Sequence, residues 1–159
     1  MWLAGKHILV TGATRGIGRA LTVQLIEAGA TVLAVARDGE ALAALAWEQG
    51  PQLQPHACDL QNADARQRLI EAVTDGRSRL AGLINNAGIQ IEADYLATSH
   101  VDLAKDIATE VSINLVAPLH LSTALAPHLA QRPEVFIANI TSALALAPKQ
   151  DAPIYCATK

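Results

Sequence analysis

The chain has 159 residues, 51% of them hydrophobic but only 3% aromatic, and a net charge of −3. That length suits one domain whose core needs no disulfide or structural metal, and an interior of Ala, Val, Ile and Leu suits helices laid closely on a parallel sheet. The acidic balance, with no run of like charges, argues against a nucleic-acid-binding surface or a charged tail.

Cys58 and Cys156 stand far apart in different local contexts, which predicts reduced thiols and a cytoplasmic protein. His7, His56, His100, His120 and His128 have no metal-ligand spacing, so no metal is expected. The start of the chain lacks the charged head and apolar run of a signal peptide. Residues 111–131 contain no Asp, Glu, Lys or Arg. Ser112, Asn114, Pro118, His120, Ser122, Thr123, Pro127 and His128 nevertheless make this segment too polar for a membrane span, and a buried helix is expected.

In chain order, residues 7–11 (HILVT) form an apolar, β-branched run, followed by a glycine-rich turn and an amphipathic stretch over 17–28 that stops at Gly29. The pattern predicts strand, turn and helix. An apolar strand over 31–36, a helix over 39–49 closed by Gly50-Pro51, and a weaker strand over 53–58 follow. Asn62 is placed to cap a helix reaching Val73, before a break at Asp75-Gly76. A fourth strand over 81–85 runs into Asn85-Asn86-Ala87-Gly88. A helix then starts at Ser99 or Asp102 and continues past Asn114 to about Ala130, with a perturbation at Pro118. Residues 135–140 form the fifth strand. Strands that alternate with helices and are apolar on both faces predict an α/β fold, a Rossmann-type doubly wound parallel sheet, with residues 1–159 as a single dinucleotide-binding domain.

The turn Thr11-Gly12-Ala13-Thr14-Arg15-Gly16-Ile17-Gly18 joins the first strand to the first helix. Gly12 permits a sharp exit from the strand. Gly16 and Gly18 let backbone approach a pyrophosphate, and the helix N-terminus offers free N–H groups to the anion. Glycine spacing alone serves a plain structural turn equally well; the position between a strand and a helix favours binding. Dinucleotide choice is read at the end of the second strand, where NAD enzymes usually place a carboxylate and an Arg suits a 2′-phosphate. Here Ala36 occupies the acidic position and Arg37 follows it, with Arg15 as a second cation. NADP(H) is therefore preferred. NAD(H) stays open, because both arginines would serve as ordinary surface residues and Asp38 would swing back to a ribose.

With these motifs in place, the chain resembles the short-chain dehydrogenase/reductase family almost end to end. Thr11 to Gly18 is similar to its TGxxxGIG motif, and Asn85-Asn86-Ala87-Gly88 to its NNAG motif bordering the cofactor. Asp59, with Leu60 beside it, falls where the family has an Asp near the adenine. Asn114, Ser142, Tyr155 and Lys159 match the four catalytic positions, with thirteen positions from Ser142 to Tyr155 and four from Tyr155 to Lys159. Pro127-His128-Leu129 and the Ala-Leu-rich loop after Ser142 look like the bacterial group associated with D-alanine transfer operons.

The resemblance implies an oxidoreductase moving a hydride between NADP(H) and a small carbonyl or alcohol substrate. Gly12, Thr14, Arg15, Gly16, Ile17, Gly18, Arg37, Asp59, Leu60, Asn86, Ala87, Gly88, Tyr155 and Lys159 would bind the cofactor. Hydride arriving at a carbonyl carbon charges its oxygen, which then needs a proton donor. Tyr155 fills that role, with Lys159 one helical turn on as the cation that favours its phenolate. Ser142 would hydrogen-bond the charged oxygen. Asn114 would hold a water that links Lys159 to solvent. Taken singly, each has an ordinary reading: YxxxK as surface decoration, Ser142 as a loop hydrogen-bonder, Asn114 as a buried polar residue. Cys156 has no base beside it in sequence and reads as packing.

Family members run to roughly 250 residues as one doubly wound domain. The resemblance therefore implies a sheet truncated after the fifth strand, without the last two strands and the substrate loop. In the longer chain the Tyr155 helix would help form a homo-oligomer. A non-catalytic nucleotide-binding module, or an inactive fragment of such an enzyme, is the alternative. No nucleic-acid or membrane partner is expected.

Overall fold

The computed structural model describes residues 2–75 and 79–159. Among these, β1 (His7–Thr11), β2 (Thr31–Ala36), β3 (Leu53–Ala57), β4 (Leu80–Asn85) and β5 (Phe136–Asn139) form one sheet in the order β3-β2-β1-β4-β5. Every pairing is parallel. Successive strand residues point to opposite faces. Ile8 and Val10 join Leu25, Val32, Leu42 and Leu45 in one core layer, under α1 (Gly16–Glu27) and α2 (Gly39–Gln49). Leu9 joins Val35, Leu69, Leu121 and Leu125 in the other, under α3 (Ala63–Thr74) and α5 (Ala117–Leu129).

From β1 the chain winds outward to β2 and β3, then returns across the sheet to set β4 on the far side of β1. The reversal opens a crevice at the carboxyl ends of β1 and β4, where open α/β sheets bind ligands.

The doubly wound reading holds, while the two outer strands depart from the expected two-faced burial. β3 exposes Gln54, Pro55 and Ala57, and β5 exposes Ile137 and Asn139. Both lie at an edge of the sheet, and Pro55, which lacks an N–H, is tolerated there.

Helix starts follow local capping chemistry. Asp38 accepts from Ala41 N at 2.9 Å, Asn62 from Ala65 N at 3.0 Å, and Ser99 from Asp102 N at 3.2 Å. Ser99, not Asp102, therefore begins α4 (His100–Val111). The break predicted at Asp75-Gly76 is met by the end of α3 at Thr74; Gly76 lies outside the described residues.

The long helix expected through Asn114 is three pieces: α4, a π-helical turn at Ser112–Val116, and α5. Pro118 supplies the physical reason. It has no N–H for the carbonyl four residues back, that of Asn114, and just before it the ladder widens so that Ala117 N–H reaches Ser112 O. No helix among the described residues is long and apolar enough to cross a membrane.

Candidate active site

The turn after β1 is shaped by two left-handed glycines, Gly12 at φ +67° and Gly16 at φ +54°. Gly12 N and Ala13 N both donate to Val35 O, at 2.8 and 3.2 Å, which ties the turn to β2. Gly18 serves packing rather than the cavity. A Cβ there would lie 2.1 Å from Gly12 O and 2.4 Å from Asn86 Nδ2, so only glycine lets α1 sit this close to the turn. Arg15 precedes α1 with no side-chain cap, and no acidic residue lies in the first helical turn. The helix N-terminus is thus left to an outside anion.

A cavity of about 450 Å³ starts at Gly12, Thr14, Arg15, Gly16 and Ile17, passes Arg37, and reaches Asp59 and Leu60 on one side and Asn86, Ala87 and Gly88 on the other. Neither Arg15 nor Arg37 forms an ion pair among the described residues. Asp38 lines the same wall, and its Oδ1 caps α2 by accepting from Ala41 N, a bond that turning to a ribose would give up. Asp59 Oδ1 accepts from Gln61 N at 3.0 Å.

The Asn85–Gly88 turn is pinned mainly by β1. Thr11 Oγ1 accepts from Asn86 N and Ala87 N, each at 3.0 Å, and donates to Ile84 O at 3.3 Å. Asn86 Nδ2 donates to Thr11 O at 2.9 Å and Gly12 O at 3.2 Å, so this side chain shapes the turn while lining the cavity. Asn85 Nδ2 reaches across to Ser122 Oγ at 3.0 Å and Asn139 Oδ1 at 2.8 Å.

Past Gly88, Asn114 and Lys159 come together. A Cβ on Gly88 would lie 3.2 Å from Lys159 Nζ and 3.3 Å from Asn114 Oδ1. Asn114 is buried and both ends of its amide are engaged: Oδ1 accepts from Ile89 N at 2.9 Å, and Nδ2 donates to Ile89 O at 2.8 Å and Thr158 Oγ1 at 3.1 Å. Thr158 belongs to α6 (Pro153–Thr158), which carries Tyr155. Lys159 Nζ donates to Ile140 O at 2.9 Å and stands 5.8 Å from the Tyr155 ring centroid. Burial pulls the Lys159 ammonium below its ordinary pKa. Ser142 is half-buried at the exit of β5, where its Oγ accepts from Leu144 N at 3.2 Å. Ser142, Tyr155 and Lys159 do not line the cavity itself; Lys159 stands at its Gly88 end, beside the Tyr155 ring.

Two buried charges escaped the sequence reading. Glu110, one turn before Asn114, is fully buried and accepts from Ile91 N at 3.0 Å. Burial pushes its carboxyl above the usual range; the Ile91 N–H opposes the shift and Asp106 adds to it. The other is Arg66, in the first turn of α3. Both thiols are free and buried, and Cys58 lines the cavity.

These features fit a dinucleotide: a glycine cradle, an uncapped helix N-terminus, two guanidiniums without an ion-pair partner among the described residues, and a cavity that ends where Gly88 meets Lys159. Residues 6–159 match the family model described as short chain dehydrogenase. The chain belongs to the short-chain dehydrogenase family.

This short-chain dehydrogenase chain is 38% identical over 159 residues to the uncharacterized oxidoreductase DltE of Bacillus subtilis, covering all of this chain and 62% of that protein. It therefore spans about three fifths of that relative's length. A metagenomic short-chain oxidoreductase in complex with NADP superimposes with a TM-score of 0.90 at 34% identity, over 100% of this chain and 72% of the other. A 3-ketoacyl-(acyl-carrier-protein) reductase of Brucella melitensis complexed with NADH gives 0.87 at 27% identity, over 98% and 65%.

Proposed function

We propose that residues 1–159 are the dinucleotide-binding and catalytic unit of an NADP(H)-dependent oxidoreductase that moves a hydride between NADP(H) and a small carbonyl or alcohol substrate. The observation that carries this reading is the meeting of Gly88, Asn114 and Lys159 at the end of the cavity, with Lys159 beside the Tyr155 ring.

Gly12, Thr14, Gly16, Ile17 and the α1 N-terminus hold the pyrophosphate. Asp59 and Leu60 flank the adenine, and Asn86, Ala87 and Gly88 border the nicotinamide side. Arg37, aided by Arg15, grips a 2′-phosphate, and the commitment of Asp38 to its cap supports NADP(H) over NAD(H). When bound, the nicotinamide supplies the hydride or accepts it.

The remaining chemistry belongs to this chain's own side chains. Ser142 Oγ already accepts from Leu144 N, which leaves its O–H proton free to donate to the substrate oxygen. Tyr155 gives that oxygen its proton, or takes one in the reverse direction. Lys159 spends one N–H on Ile140 O and keeps two for the phenol and the cofactor ribose. With both ends of the Asn114 amide engaged by Ile89 and Thr158, its backbone carbonyl, which Pro118 cannot bond, is the group to hold a water between Lys159 and solvent.

The free, buried cysteines support a reducing, cytoplasmic setting. Exposed Leu115, Val116 and Leu119 support a homo-oligomer. The identity to DltE supports the narrower resemblance to the group associated with D-alanine transfer operons.

NADPH fluorescence combined with a panel of ketones and aldehydes tests the whole reading. Binding with substrate-dependent NADPH consumption is expected. Binding with no turnover across the panel would favour the non-catalytic nucleotide-binding module.

A further inference from the structure

Arg66 is 5% exposed and lies in the first turn of α3. Local chemistry works against a cation there. The positive end of a helix disfavours a guanidinium, and a buried charge is costly unless its N–H groups are filled. No carboxylate pairs with it among the described residues. Its partners are instead two backbone oxygens and an imidazole. Nη1 donates to Leu60 O at 2.5 Å and to Gln61 O at 3.2 Å, and Nε donates to His120 Nδ1 at 3.4 Å.

Leu60 C=O and Gln61 N–H are the two ends of one planar peptide unit. Arg66 holds the oxygen end; the nitrogen end donates to Asp59 Oδ1 at 3.0 Å. A guanidinium anchored on α5 through His120 therefore sets the tilt of the peptide on which the Asp59 carboxylate rests. From the α4–α5 side, Ser112 Oγ steadies the same turn by donating to Gln61 O at 3.3 Å. Asp59 and Leu60 line the cavity, whereas Arg66 does not.

We propose that Arg66 is a positioning residue for the adenine end of the bound dinucleotide, fixing Asp59 and Leu60 through the Leu60–Gln61 peptide. This rests on the reading of the cavity as a dinucleotide site. A local rule broken at a buried helix start, with Nη1 directed to the turn that carries the cavity-lining Asp59 and Leu60, points to a functional position rather than a packing one.

The test measures binding of NADPH, of 2′,5′-ADP as the adenine half, and of reduced nicotinamide mononucleotide as the other half. Arg66→Met is expected to weaken NADPH and 2′,5′-ADP about tenfold and to leave the mononucleotide within about twofold. Arg66→Lys keeps a donor for Leu60 O and recovers most of the loss. Equal weakening of both halves, or no weakening of the adenine half, overturns the proposal. Should Arg66→Met fail to fold, His120→Leu, which removes the anchor of the guanidinium, carries the same comparison, with adenine-selective weakening upholding the proposal and uniform or no weakening refuting it. If the unsubstituted protein binds no NADPH at all, the dinucleotide reading itself falls, and the role of Arg66 with it.

Discussion

Replacing Gly18 by alanine isolates what the glycine turn does for the fold. The added methyl would sit 2.1 Å from Gly12 O and 2.4 Å from Asn86 Nδ2, both fixed by further hydrogen bonds. Van der Waals contact requires α1 to retreat by more than an ångström or the Asn86 amide to leave the turn. Overpacking a tight site costs roughly 1–3 kcal/mol, and each lost hydrogen bond adds about 1 kcal/mol, so Gly18→Ala is expected to destabilise by about 3–4 kcal/mol. Gly16→Ala is the control. No atom lies within 4 Å of its Cβ, and only the φ of +54° opposes it, for a cost of about 1 kcal/mol. Gly16 lines the cavity, however, so that variant should lose NADPH affinity out of proportion to its stability. Urea unfolding and NADPH titration of both variants read the two effects. A Gly18→Ala protein within about 0.5 kcal/mol of the parent would refute the close-approach reasoning.

Arg37→Ala removes an exposed guanidinium with no ion-pair partner among the described residues, and should weaken NADPH about tenfold while sparing NADH; equal losses for the two cofactors would remove the 2′-phosphate role. Glu110 has a folded-state pKa raised by burial, so the stability it contributes is complete below the usual carboxylate pKa and is lost as pH rises through the raised value. Glu110→Gln deletes that titration and keeps an acceptor for Ile91 N. Its unfolding free energy relative to the parent should therefore improve as pH rises above the usual carboxylate pKa. A difference that stays flat with pH would contradict the buried-carboxyl assignment.

The central strands were legible because β1, β2 and β4 are apolar runs bounded by turn residues, and the helix starts at Asn62 and Ser99 belong to local chemistry that sequence displays, whereas the Asp38 cap was not read there. The glycine turn and the Tyr155–Lys159 spacing were legible as motifs. Exposure of β3 and β5 was not, since edge position depends on strand order rather than on any strand's own residues. Pro118 signalled a disturbed helix, but only the folded chain gives it the form of a π turn that leaves the Asn114 carbonyl apart from the α ladder. Arg66 and Glu110 drew no reading from the sequence, because their partners, Leu60 O and Ile91 N, are brought to them from outside their own helices. The one local sign was the placement of Arg66 in the first turn of a helix, where a cation is disfavoured.

The catalytic reading stands on the Tyr155 hydroxyl. Tyr155→Phe keeps the aromatic ring near Lys159 and deletes one oxygen, so NADPH affinity should stay within about twofold while substrate-dependent oxidation of NADPH falls about a thousandfold. A phenylalanine variant that turns over at close to the parent rate, with the same cofactor affinity, would show that the proton comes from elsewhere.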